Sequence, residues 1–188
     1  MKNLIYCLGD SNTWGYDPRS FLGDRYKKAW CDLLGERLNV PIYNDGVNGR
    51  SVKDVLYRFP QLKHSITLQQ PELLILLLGT NDVLMGEDPQ EVSMEMSSML
   101  QKLREDFPQL SILLLSPPPV GIPGSYPEDI SRLSELYRRL ASDYSLFFTN
   151  LSGFSLPLCY DGVHLTEEGH RLLGDILKTE VRRILSEK

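Results

Sequence analysis

The sequence predicts an α/β fold, a three-layer α/β/α sandwich built on a mainly parallel five-stranded sheet, and three observations predict it. Apolar runs such as Leu73-Leu74-Ile75-Leu76-Leu77-Leu78 are continuous rather than alternating, as expected for strands covered on both faces. Segments with apolar residues at helical spacing separate those runs, and parallel neighbours require such crossovers. Polar and glycine-bearing motifs follow the strands, where open α/β sheets gather their ligands.

Strands are expected over 3–8, 42–44, 73–78, 111–115 and 146–149, each an apolar, partly β-branched run. Between the first two, Tyr26, Trp30, Leu33, Leu34 and Leu38 fall on one helical face. Val92, Met96, Met99, Leu100, Leu103 and Phe107 form another, opened by Asp88, Pro89 and Glu91 as N-cap, first-turn proline and capping-box acid. Ile130, Leu133, Tyr137, Leu140, Ala141 and Tyr144 predict a third helix. A last one follows Thr166 and carries Leu173, Ile176, Leu177, Val181, Ile184 and Leu185. The connections after the strands are expected over 9–16, 45–51, 79–84, 116–127 and 152–165, the fourth a Pro/Gly-rich stretch suited to a pocket wall, a lid or a rigid surface connection.

Composition narrows the function classes. The 188 residues form most simply one domain, 1–188, with neither a linker composition nor an internal repeat to divide them. The formal charge is -5, and the short basic clusters Arg25-Tyr26-Lys27-Lys28 and Arg138-Arg139 are interspersed with acids. Nucleic acid is not an expected partner, since phosphate binding calls for a basic stripe. Nor is membrane insertion expected, because no apolar run reaches spanning length and the first residues are too short for a secretory h-region. A cytoplasmic protein is the default expectation, and a homo-oligomer is compatible with the sequence. Cys7, Cys31 and Cys159 are odd in number and have no metal-like spacing. The first two are expected as small core residues rather than disulfide partners.

Two motifs carry chemistry. Gly9-Asp10-Ser11 follows the first strand, so the Ser11 hydroxyl stands where a strand breaks into a loop. Asp161-Gly162-Val163-His164 lies near the other end, with a carboxylate three residues before an imidazole. A serine hydroxyl becomes a useful nucleophile when an imidazole takes its proton, and a carboxylate fixes the tautomer of that imidazole. Alone, each motif also reads as turn chemistry. His64, in a polar helical stretch, and His170, at the start of the last helix, are expected as surface or helix-packing residues. A metal site from Asp161, His164 and His170 lacks a completing imidazole or cysteine pair.

Gly9-Asp10-Ser11, Asn48-Gly49, Gly79-Thr80-Asn81-Asp82 and Asp161-Gly162-Val163-His164, taken in order, resemble the sequence blocks of the SGNH (GDSL-type) hydrolases, whose fold is a flavodoxin-like sandwich. The resemblance runs from residue 9 to residue 164. Within that family, Gly-Asp-Ser-Asn-Thr-Trp-Gly, Gly-Thr-Asn-Asp and Ser-Pro-Pro-Pro look most like the small arylesterase and acyltransferase branch. It implies that Ser11 is the nucleophile, His164 the general base and Asp161 its orienting carboxylate. The amides of Ser11 and Gly49 and the side chain of Asn81 are then the oxyanion donors. Where the family often has leucine after the serine, this chain has Asn12.

The chemistry asks for these residue types. A tetrahedral oxyanion needs donors already aimed at it; glycine admits close approach to its amide, and asparagine donates without titrating. The implied function is a serine esterase or acyl hydrolase cleaving a small carboxylic ester through an acyl-enzyme, with acyl transfer to an alcohol as a companion reaction. No metal or cofactor is required. Activity is expected to fall as pH drops through the histidine range, near about 6.5 for a free imidazole.

Asp10 and Asp82 are expected to scaffold their loops, Asp10 also being a candidate substrate contact. Trp14 and Tyr16 are candidates for an acyl or aryl subsite. Arg50 is a candidate for an acidic part of a substrate, with a rim salt bridge as its structural alternative. Two other classes compete: a flavodoxin-like binding module whose Ser11-Asn12-Thr13 turn cradles a phosphate, and a non-catalytic interaction scaffold. Asp10 beside the turn opposes an anion there, and filled triad positions oppose the scaffold.

Overall fold

The structure, a computed structural model, describes residues 4–186. Five strands, Ile5–Gly9 (β1), Ile42–Gly46 (β2), Leu73–Leu77 (β3), Ser111–Leu115 (β4) and Phe147–Thr149 (β5), form one sheet. Its order is β2-β1-β3-β4-β5, and every neighbouring pair is parallel. Asn3, expected in the first strand, lies outside the described residues, and Leu146 precedes β5 rather than opening it.

Successive strand side chains point to opposite faces, which is why the apolar runs are continuous. On one face Tyr6, Leu8, Leu74, Leu76, Ile112 and Leu114 form a core with apolar residues of the helices Val52–Tyr57 (α3), Phe59–Gln69 (α4), Pro89–Asp106 (α6) and Tyr126–Asp143 (α7). On the other, Ile5, Cys7, Leu73, Ile75, Leu113 and Leu115 pack against Trp30–Leu38 (α2) and Glu167–Ser186 (α8). Helices α2 and α8 meet through Trp30, Leu34, Leu173 and Leu177, and Arg37 bridges to Asp175 at 3.1 Å. Gly174 lies so close to α2 that a Cβ there would stand 3.1 Å from the Trp30 carbonyl.

The structure departs from expectation at specific places. Tyr26 is buried but precedes α2, whose apolar face begins at Trp30. Asp88 does cap α6, with Pro89 next, but its carboxylate accepts the Gln90 amide at 2.7 Å rather than that of Glu91. Strand β2 continues through Asn44-Asp45-Gly46, residues that favour turns. Here their polar groups are satisfied in extended backbone. Asn44 donates to the Thr13 carbonyl at 3.0 Å and accepts the Gly46 amide at 2.9 Å, and Asp45 accepts the Tyr6 hydroxyl at 2.6 Å. The connections 9–16 and 79–84 contain the short helices Ser11–Trp14 (α1) and Thr80–Leu84 (α5), and α7 begins at Tyr126, inside the fourth expected connection. All of these loops lie at the carboxyl ends of the strands.

Candidate active site

The turn after β1 is built so that Ser11 opens a helix. Gly9 is required by space: a Cβ there would stand 2.0 Å from the Thr13 hydroxyl oxygen and 2.9 Å from the Leu77 carbonyl. Asp10, 1% exposed, is the N-cap of α1, its carboxylate accepting the Asn12 amide at 2.9 Å. Gly15 ends the helix in the left-handed region, at φ 93°. Burial pushes the Asp10 carboxyl up to about 7, against the Asn12 amide, which favours the charged form, and with help from nearby Asp82. As a candidate substrate contact Asp10 is corrected: its side chain lies under the turn, committed to the cap.

The distant histidine arrives from the connection before α8. His164 Nε2 lies 3.0 Å from Ser11 Oγ, and Nδ1 lies 2.6 Å from Asp161 Oδ2. Asp161 Oδ1 also accepts the amides of Val163 and His164, both at 3.0 Å, so one carboxylate shapes the loop and orients the ring. Burial pushes the Asp161 carboxyl up, but those amides and the imidazole outweigh it and hold it below its ordinary range. The Gly162 carbonyl accepts the Gly121 amide at 2.7 Å, so the Pro/Gly-rich connection over 116–127 braces the histidine loop. This hydroxyl, imidazole and carboxylate form a continuous line along which a proton can leave the hydroxyl.

Gly49 and Asn81 flank the same strand ends. Gly49 sits at φ 74°, and nothing lies within 4 Å of where its Cβ would be. Its backbone conformation, rather than crowding by protein atoms, therefore explains glycine at this position. The Asn81 carboxamide donates one hydrogen to the Arg50 carbonyl at 2.9 Å, which orients the group; an amide nitrogen carries a second. Asp82, fully buried, accepts the Val52 amide at 2.9 Å and so joins α5 to the start of α3. Burial and the carboxylates of Glu87 and Glu95 push its carboxyl up to about 6, with the Val52 amide opposing.

Arg50 makes the salt bridge expected as its structural alternative. Its guanidinium pairs with Asp45 at 2.8 Å and donates to the carbonyls of Asp45 and Gly9, tying the second loop to the ends of β1 and β2. It is a structural clamp. Trp14 packs beside Tyr16, at 6.4 Å between ring centroids, and lies beneath the Arg25 guanidinium; the aromatic ring against His164 is that of Tyr16, at 4.8 Å. A cavity of about 420 Å³ opens behind the Gly49 turn, lined in part by Asp45, Asn48, Arg50 and Arg58.

Of the remaining histidines, His64 is exposed on α4 and His170 is fully buried. The His170 Nδ1 accepts the Trp30 amide at 3.3 Å, and the Tyr26 ring meets it edge-on. Burial, with Arg25 nearby, pushes it down to about 4. It is a core residue. Sequence reasoning missed a group of carboxylates, Asp82, Glu87 and Glu95, whose oxygens lie within 4.8 Å of one another. Lys53 stands 3.8 Å from both glutamates and supplies counter-charge. It also missed the contacts of Asn12; an amide 1% exposed must find partners, and that was the available signal.

Comparison with known proteins places the sequence and the fold. An arylesterase of Vibrio mimicus is 28% identical over 120 residues, 61% of this chain and 56% of that protein. Esterase TesA of Pseudomonas aeruginosa is 27% identical over 154 residues, 76% of this chain and 73% of that protein. Among solved structures, a carbohydrate acetylesterase family member from Sinorhizobium meliloti has TM-score 0.85 and 25% identity, covering 98% of this chain and 99% of that one. The aryl esterase of M. smegmatis shares the fold, with TM-score 0.83 and 24% identity over 97% of this chain and 99% of that one. The model of the GDSL-like lipase/acylhydrolase family matches residues 7–172, from β1 into α8, and the chain belongs to that family.

Proposed function

We propose that this chain is a serine hydrolase of small carboxylic esters, working through Ser11, His164 and Asp161. The observation that carries the reading is the line from Ser11 Oγ to His164 Nε2 at 3.0 Å and from His164 Nδ1 to Asp161 at 2.6 Å. His164 Nε2 takes the Ser11 proton as Oγ attacks the ester carbonyl. The carbonyl π bond becomes an oxyanion, met by the amides of Ser11 and Gly49 and the free hydrogen of the Asn81 carboxamide. Collapse expels the alcohol, which receives the proton from His164, and leaves an acyl group on Ser11. Water then attacks the acyl carbonyl as His164 takes its proton, and collapse expels Ser11 Oγ, which regains a proton from His164 as the acid leaves. An alcohol in place of water gives acyl transfer.

Asp161 stabilises the transient imidazolium without itself being protonated. The phosphate-cradle alternative is weakened because the Asp10 carboxylate already occupies the N-terminus of α1. Cys7, Cys31 and Cys159 are free thiols, which suits a reducing, cytoplasmic setting.

A fluorophosphonate probe with intact-mass and peptide mapping tests the reading without a guessed substrate. One adduct is expected on Ser11, lost in Ser11→Ala and suppressed in His164→Ala. A folded protein that takes no adduct, or takes it elsewhere, overturns it.

A further inference from the structure

We propose that Asn12 is a positioning residue that holds the general base against the nucleophile. The inference rests on the catalytic reading of Ser11 and His164 and adds a residue to it. Asn12 is 1% exposed, and its carboxamide spans from the first turn of α1 to the histidine loop. Its Oδ1 accepts the Leu165 amide at 2.9 Å, and its Nδ2 donates to the Val163 carbonyl at 3.2 Å. Those two backbone groups bracket His164. The His164 carbonyl is itself taken by the Cys159 amide at 2.7 Å. Together with the Asp161 bond to the His164 amide, the backbone on both sides of the imidazole is fixed.

The location of this clamp matters more than its strength. Asn12 is the residue after Ser11, so the nucleophile and the group that holds its base share one rigid helical turn. Any movement of α1 carries both. Only a side chain with a donor and an acceptor on one short planar group can make both bonds at this distance. Leucine would leave the Val163 carbonyl and the Leu165 amide without these partners. Aspartate keeps the acceptor for the Leu165 amide but loses the donor and sets a second oxygen against the Val163 carbonyl. Because proton transfer from Ser11 depends on the Nε2 to Oγ alignment, a loosened loop would show in turnover, while substrate binding elsewhere in the site would be left as it is.

The test compares wild type, Asn12→Leu, Asn12→Asp and His164→Ala as full chains on p-nitrophenyl acetate, with circular dichroism to verify folding. Asn12→Leu is expected to lower kcat about 10- to 100-fold with KM within about twofold. Asn12→Asp, which keeps the acceptor and loses the donor, is expected to lower kcat in the same direction, with KM within about twofold. A purely structural residue would lower the unfolding temperature and leave kcat as it is. If Asn12→Leu does not fold, Asn12→Asp decides alone. An inactive His164→Ala together with wild-type kcat in the folded Asn12 variants overturns the positioning role. Wild-type turnover in His164→Ala instead overturns the catalytic reading, and this inference with it.

Discussion

Replacing Asp10 by asparagine should change how the stability of the protein depends on pH, by an amount the structure fixes. The carboxyl is 1% exposed and pushed from an ordinary 3.8 to about 7, chiefly by burial. Its folded-state value is raised, so between these two pH values the folded chain holds a proton that the unfolded chain has released. Its stabilising contribution is therefore full below pH 3.8 and is lost as pH rises through about 7. At about 1.4 kcal/mol per pH unit, that interval corresponds to about 4 kcal/mol. Asp10→Asn removes the titration while keeping an oxygen for the Asn12 amide, and asparagine caps helices as well as aspartate does.

Urea unfolding of both proteins from about pH 4 to about pH 8 gives the stability difference at each pH. That difference should move in favour of the variant by about 4 kcal/mol across the range, whatever its starting value. The Asp82 carboxyl, pushed up to about 6, remains in both proteins and leaves both with a shared slope. Parallel curves for the two proteins would refute the argument, because they would mean that Asp10 titrates alike in the folded and unfolded chains.

Three further outcomes are expected. Asn81→Ala should lower kcat about 10²-fold or more if its carboxamide meets the oxyanion, read by steady-state hydrolysis of an aryl ester; an unchanged kcat in folded protein removes Asn81 from the mechanism. His170, pushed down from 6.5 to about 4, contributes stability that is present above pH 6.5 and lost as pH falls through about 4, so His170→Asn should flatten the acid limb of the unfolding free energy. Gly46→Ala should destabilise by about 3 kcal/mol in urea unfolding, because the new Cβ would stand 2.1 Å from the Trp14 amide nitrogen, and backbone there has little room to retreat.

Much of this molecule is legible in the order of its residues. The apolar runs mark the strands because parallel strands are buried on both faces, and Leu73 to Leu77 is the clearest case. The helical faces of α6, α7 and α8 follow from their spacing. What escapes sequence reasoning is structure imposed from a distance. Asp45-Gly46 reads as the start of a loop because only the fold supplies Tyr6 and Arg50 to satisfy the Asp45 carboxylate in a strand. A salt bridge for Arg50 can be expected from the chain, but its partner, Asp45 five residues earlier, is set by the fold. Ser11, His164 and Asp161 could be matched by motif and proton chemistry, but the Asn12 clamp joins residues whose proximity no local pattern encodes.

Ser11 and His164 are 153 residues apart in the chain, and the loop that carries the histidine is followed directly by α8, which is anchored on α2. The line from Ser11 to His164 therefore closes only when the turn after β1 and the loop before α8 have met. During synthesis the turn that carries Ser11 emerges well before the loop that carries His164. Turnover during refolding would consequently report the docking of the last helix rather than the formation of the sheet.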